Sequence, residues 1–274
     1  MAPTGIEGLG VVRADTTSVL TPTVYHPVIC LILQGAKELA LGRERVRAAA
    51  GQSIVVSHEL PLRSRVTVAS LDEPYVALIL RLDLELLARV VTELQHDVPA
   101  DDAPGALRVG DADEDLIDAF CRLLSFRGSA AETAALAPLV IREVHVRLLL
   151  AEHGGALANM LNGNSHAGRI ATATGHIRDR LAEPLSVAEL AKAVGMSQSS
   201  FHEHFKSVTS TTPLQYQKDL RLLEAREQLG AGDRSITEVA LAVGYRSPTQ
   251  FSREYSRKFG VAPRVDRGRP VAVA

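Results

Sequence analysis

The sequence predicts a multidomain α+β protein. It reads as an N-terminal antiparallel β-barrel with following helices, then a C-terminal all-α domain with two tandem helix-turn-helix motifs. Three observations carry this expectation. A stretch near the C-terminus repeats itself at an offset of 49 residues. Short apolar segments with turn residues between them fill positions 25 to 81. Charge is divided unevenly: residues 1–169 hold 15 basic and 21 acidic residues, net −6, whereas residues 170–274 hold 15 and 11, net +4.

The whole chain has 274 residues, 46% hydrophobic and 23% charged, the balance of a folded protein. The most apolar stretch, Val76 to Val91, is broken by Arg81, Asp83, Glu85 and Arg89, so no segment is expected to span a membrane. Met1 to Gly10 has neither a basic residue nor an apolar core and does not read as an export signal. Cys30 and Cys121 therefore read as reduced thiols, and the expected compartment is the cytoplasm.

The repeat aligns Ser186 to Gly195 with Ser235 to Gly244. After one inserted residue it continues at an offset of 50, pairing Ser197 with Ser247, Phe201 with Phe251, Phe205 with Tyr255 and Pro213 with Pro263. Each copy reads as helix, turn and helix. Ser186 with Glu189, and Ser235 with Glu238, have the spacing of a capping box, in which serine and glutamate satisfy each other's backbone donors. Val187, Leu190, Ala191 and Val194, matched by Ile236, Val239, Ala240 and Val243, form one apolar face. Gly195 and Gly244 stop the first helices. Ser197 and Ser247 cap the second helices, with Pro248 at a first helical position where its missing N–H costs nothing. The paired aromatics then give each second helix one core-facing stripe and one polar face. Between the copies, Leu214 to Leu229 reads as one amphipathic helix that fixes their separation, about 34 Å if it matches one duplex turn.

Residues 169–263 resemble the DNA-binding domain of the AraC/XylS family of bacterial regulators. The resemblance rests on Leu-Ser-Val-Ala-Glu-Leu-Ala (185–191), Phe-His-Glu-His-Phe-Lys (201–206), Pro-Leu-Gln-Tyr-Gln-Lys (213–218), Arg-Leu-Leu-Glu-Ala-Arg (221–226) and the run from Val239 to Tyr255. Two departures stand out. Ser210 replaces the family's glycine after the first recognition helix, and Pro263 is followed by Arg264-Val265-Asp266 without the usual aromatic.

The resemblance implies binding to double-stranded promoter DNA and contact with RNA polymerase. Ser199, His202 and Glu203 on the first second-helix, and Thr249, Ser252 and Arg253 on the other, match the family's base-facing positions. Glu203 can accept from cytosine N4, His202 can donate to a purine, and Arg253 can form the bidentate pair with guanine. Lys206, Arg246, Arg257 and Lys258 are candidate phosphate contacts, as are the backbone N–H groups at Ser197 and Ser247. A plain solvated helix face is the competing reading for each.

In the N-terminal part, strands are expected at Val28 to Leu33, Leu39 to Leu41, Val46, Ile54 to Val56, Val66 to Val68 and Tyr75 to Leu80. Val28 to Lys37 and Gly51 to Ser57 resemble the cupin-like N-terminal domain of one AraC subfamily, which implies an unnamed small-molecule effector. A metal-dependent cupin needs about three clustered protein ligands. The barrel region offers only His26 and His58-Glu59, so no metal, no cofactor and no catalytic group is expected, and His58 reads as a surface or pocket-rim residue. Cys30 reads as a small core residue, with effector or redox sensing as the sharper alternative.

Three helical stretches are expected next: Asp83 to Val98, Asp111 to Phe126 and Glu132 to His153. The expected division is a barrel over 1–95, a helical dimerisation region over 96–153, a linker over 154–168 and the DNA-binding domain over 169–274, acting as a homodimer. The leading function is an effector-responsive transcription regulator, an activator as the resemblance implies, and not an enzyme. The alternatives are a ligand-independent regulator whose barrel only dimerises, and a cupin enzyme fused to a DNA-binding module.

Overall fold

The computed structural model describes residues 2–94, 97–99, 105–126, 128–152 and 154–268. His153 and the last six residues lie outside the described residues, as do parts of the stretch around the first predicted helix end.

Among the described residues, ten strands form two antiparallel sheets. They are β1 (Ala2–Pro3), β2 (Leu9–Ala14), β3 (Thr21–Tyr25), β4 (Val28–Gln34), β5 (Ala36–Leu41), β6 (Glu44–Ala49), β7 (Gln52–Val56), β8 (Leu60–Val68), β9 (Tyr75–Arg81) and β10 (Leu107–Asp111). The sheet orders are β1-β2-β9-β4-β7-β10 and β3-β8-β5-β6. Strand alternation explains the long apolar runs. On β4, Cys30 and Ile32 point into the barrel interior, while Ile29 and Leu31 point outward into a second core. A strand buried on both faces has no polar face to show in its sequence.

The outward core is covered by α1 (Leu84–Leu94), α2 (Glu114–Ser125), α3 (Ala130–Leu150) and α4 (Gly154–Leu161). Buried His145 on α3 ties these layers together. Its Nε2 accepts from the Asp83 N–H at 2.9 Å, and its Nδ1 lies 2.7 Å from the Ile141 carbonyl. Two expected boundaries change here. The presumed linker begins with α4, whose Leu157 and Met160 are buried, so its first half is packed helix. The presumed helical region contains β10, which pairs with β7 from Leu107↔Val56 to Asp111↔Gln52 and belongs to the barrel.

The chain continues through α5 (His166–Asp179), α6 (Val187–Ala193), α7 (Gln198–Thr209), α8 (Pro213–Ala231), α9 (Ile236–Ala242), α10 (Pro248–Phe259) and α11 (Pro263–Asp266). The barrel interior and the first repeat share one continuous core, which runs from Ile32, Leu39 and Leu62 to Ile170, Phe201, Phe205 and Tyr216. The second repeat has its own core around Leu222, Leu229, Val239, Phe251 and Tyr255.

Both sequence departures are absorbed locally. Ser210 adopts φ 56°, the left-handed turn that Gly260 makes at the equivalent place. The last short helix forms without its aromatic because Asp266 anchors it, accepting from the Tyr255 hydroxyl at 2.8 Å and from Arg226 Nε at 3.1 Å.

Candidate nucleic-acid interface

The two repeats are built as their caps dictate. Ser186, Ser197, Ser235 and Ser247 each accept a backbone N–H from the residue three positions on. Only Ser235 completes the reciprocal box, its N–H donating to Glu238 Oε2 at 2.7 Å; Glu189 makes no such return bond to Ser186. Gly244 must be glycine for two reasons. Its φ is +88°, and a Cβ there would lie 2.2 Å from the Ala182 carbonyl oxygen.

On α7 the buried stripe is Phe201, Phe205 and Val208, and Ser199, His202, Glu203 and Lys206 are exposed on the other side. On α10 the buried pair is Phe251 and Tyr255. Thr249, Arg253 and Arg257 are exposed, Ser252 is half-buried, and Arg246 is exposed in the preceding turn. Ser197 is exposed and Ser247 half-buried, each at the first turn of its helix. Lys258 differs from expectation. It lies on the core side of α10, where Nζ donates to Asp219 Oδ1 at 2.5 Å, and burial pulls its amine below the ordinary lysine range. A cation already paired and desolvated is not presented to a phosphate.

Arg221 on α8 is a residue that sequence reasoning did not single out. Its guanidinium donates to the carbonyls of Leu181 (2.7 Å), Glu183 (2.7 Å) and Gly244 (3.2 Å). One planar fork thus joins the approach to the first repeat with the turn of the second. Nothing in the sequence sets it apart from Lys218, Asp219, Glu224 and Arg226, which are also charged residues of this amphipathic helix.

The barrel interior carries a second group of polar side chains. Lys37 is 2% exposed, its amine donates to the Tyr25 hydroxyl, and it makes no carboxylate pair among the described residues. Ser64, also facing inward on β8, has a hydroxyl with no partner among the described residues. Cys30 lies 4.0 Å from the Tyr75 hydroxyl, and burial pushes its thiol pKa up, which favours the protonated form. Lys37 was legible as a lysine in register with Leu39 and Leu41 on a core-facing strand.

Where the barrel meets the first repeat, the reading of His58 as a surface residue is corrected. It is 3% exposed, with Nδ1 2.8 Å from Ser57 Oγ and Nε2 3.1 Å from the Ala167 carbonyl of α5. Burial lowers its pKa to about 4. The Tyr216 hydroxyl donates to the Glu59 carbonyl at 2.6 Å, and the Glu59 carboxylate lies 3.4 Å from His26 and 3.5 Å from Arg178. Among the described residues no three metal-ligating side chains cluster, and no helix is long and apolar enough to cross a membrane.

The profile of the AraC-type transcriptional regulator N-terminus matches residues 5–156, and that of a helix-turn-helix domain matches 190–269. The regulator ArgR of Pseudomonas aeruginosa is 35% identical over 105 residues, 38% of this chain and 32% of that protein. The activator RhaS of Yersinia pestis is 31% identical over 102 residues, 37% of each. The chain thus spans about a third of the length of the curated relatives it matches. Among solved structures, apo ToxT K231A from Vibrio cholerae covers 94% of this chain and 96% of its own, with a TM-score of 0.63 at 12% identity, a likeness of fold. With its N-terminal profile covering more than half of its length, the chain belongs to the family of AraC-type transcriptional regulators.

Proposed function

We propose that this protein binds promoter DNA in a sequence-specific way through α7 and α10 and regulates transcription in response to a small effector, as an activator working in a homodimer with RNA polymerase. The observation that carries the reading is the pair of exposed polar helix faces, each backed by a buried aromatic pair and joined through α8 and Arg221. Arg253 on α10 supplies base readout, and Arg246 and Arg257 supply phosphate contacts.

The test is binding of the full chain to a labelled duplex from beside its own gene, at several salt concentrations. Arg253→Ala is expected to lose about 1–3 kcal/mol on the specific site and little on random DNA. Equal binding of both proteins to all DNA would remove base reading from Arg253.

For the effector, the barrel interior favours an acidic head group. A buried amine, a phenol and an unpartnered serine hydroxyl offer donors, and among the described residues no carboxylate pairs with Lys37. Burying an amine with no opposite charge beside it, and a hydroxyl with no partner, is costly, and an anion would repay it. One solved ToxT is bound to an unsaturated fatty acid. Medium-chain carboxylates should raise the melting temperature of wild type and not of Lys37→Met, whereas the matching alcohols should do neither. Equal shifts in both proteins would place the acid elsewhere, and a barrel that serves only for dimerisation would show no shift with any of them.

A further inference from the structure

The exposed face of α7 is not open along its whole length. The two-residue turn between β5 and β6 rests on the C-terminal end of this helix. A Cβ built on Gly42, at φ +60°, would lie 2.8 Å from the Ser210 carbonyl oxygen and 3.1 Å from Ser210 Cβ, so backbone meets backbone there. Beyond that contact, Gly42, Arg43 and Glu44 form one wall of a cleft whose opposite wall is Glu203, Lys206 and Ser207. Glu203 and Lys206 belong to the face of α7 that looks away from Phe201 and Phe205.

A helix that reads bases enters a groove about 12 Å wide and 8.5 Å deep. For α7 to do so through Glu203, the duplex must enter the cleft whose other wall is this hairpin, a cleft too confined for it while the hairpin rests on Ser210. The barrel touches the second head differently. It packs against α10 through β3, on the side of paired Lys258, and leaves Thr249, Arg253 and Arg257 exposed. One head is crowded at the C-terminal end of its recognition helix, and the other is free.

We infer that the β5–β6 hairpin is an intramolecular mask on the first recognition helix, and that two-headed DNA binding requires it to move off α7. The inference rests on the reading of α7 as a DNA-binding helix. It also gives the effector a lever, because β5 carries Lys37 near one end and the mask at the other. The contacts that hold the mask closed lie nearby: Tyr216 on the Glu59 carbonyl and His58 on the Ala167 carbonyl. Movement of the barrel relative to the first repeat would break these together.

The test uses the full chain with Gly42→Cys and Ser210→Cys, and Cys121→Ser to remove the exposed native thiol. The two new side chains start within disulfide reach. In the reduced form the side chain added at position 42 crowds position 210 and opens the mask; in the oxidised form the disulfide closes it. The oxidised protein should bind the promoter duplex about 5–150-fold more weakly than the reduced protein, the usual range of coupling between sites. Its residual binding should lose its preference for the promoter over random DNA with Arg253→Ala. Equal affinity of the oxidised and reduced forms would overturn the mask. Gly42→Asn gives a second readout, since asparagine is among the side chains least disfavoured at a positive φ and its Cβ must displace Ser210. It should bind more tightly than wild type without any effector, and unchanged or weaker binding would overturn the inference. Failure of wild type, Gly42→Asn and the reduced protein to bind any duplex would instead overturn the DNA-binding reading beneath it.

Discussion

Phe205 and Tyr255 hold equivalent places in the two repeats, yet they belong to different cores. Phe205 stacks edge-on against Tyr216 at 5.4 Å, and Tyr216 reaches the barrel through Glu59. Tyr255 packs between Phe251 and Phe259 in a core of the second repeat's own. The repeat gives two copies of one motif, and their surroundings make them different. The first repeat shares the barrel's core, and the second keeps a core of its own and meets the barrel at the surface, through α10 and β3.

The largest effect should separate these two cores. Phe205→Ala and Phe251→Ala each remove a fully buried ring, a loss of about 3–5 kcal/mol. Phe205→Ala should lower the melting temperature of barrel and first repeat together. Phe251→Ala should melt the second repeat alone and split thermal unfolding into two stages by calorimetry. A single concerted transition in both variants would break the comparison.

Acid should loosen the barrel-facing side selectively. His58 is neutral in the fold, with its pKa lowered from 6.5 to about 4 by burial. The adjacent Glu59 carboxylate lies 3.4 Å from His26 on the barrel side and 3.5 Å from Arg178 of α5 across the junction. The unfolded chain takes up a proton below pH 6.5 that the folded chain refuses, so His58 costs stability as pH falls from 6.5 to 4. The contribution is about 1.4 kcal/mol per pH unit, or about 3 kcal/mol in all. Urea unfolding at pH 7 and pH 5 should show wild type losing about 2 kcal/mol more than His58→Gln. An equal loss in both would remove His58 from the acid response.

The bond between the two heads comes next. Arg221→Gln removes donors to three carbonyls and should weaken binding to a two-site promoter by roughly 2 kcal/mol. Binding to a duplex that holds one half-site should hardly change, and equal losses on both duplexes would show that Arg221 does not set the spacing. The smallest effect concerns the caps. Ser235→Ala should cost about 1 kcal/mol, and Ser186→Ala less, because only Ser235 has the return bond from Glu238. Equal costs would show that the return bond adds nothing.

What the sequence showed clearly was whatever a few neighbouring residues decide. The capping serines, the glycine stops, the aromatic pairs and the core-facing alternation of most strands all follow from spacing of two to four residues. What it hid depends on distant partners. The return of β10 to pair with β7 joins positions more than fifty apart, so 107–111 carry no local mark of belonging to the barrel. The small glycine-led segment from Gly154 reads as a linker until Leu157 and Met160 find their core. His58 and Lys258 look like surface residues because nothing nearby announces Ala167 or Asp219. Of the candidate DNA-facing side chains, Lys258 alone is turned away, and Glu203 and Lys206 share their cleft with a hairpin about 160 positions earlier in the chain.

The most direct measurement is a hydroxyl-radical footprint of the Gly42→Asn protein on its promoter duplex, beside that of wild type without effector. The account predicts two protected segments about one helical turn apart for Gly42→Asn, and for wild type one strong segment, the one lost with Arg253→Ala. Two segments of equal strength in the effector-free wild type would contradict it, since both heads would then be free before any ligand arrives.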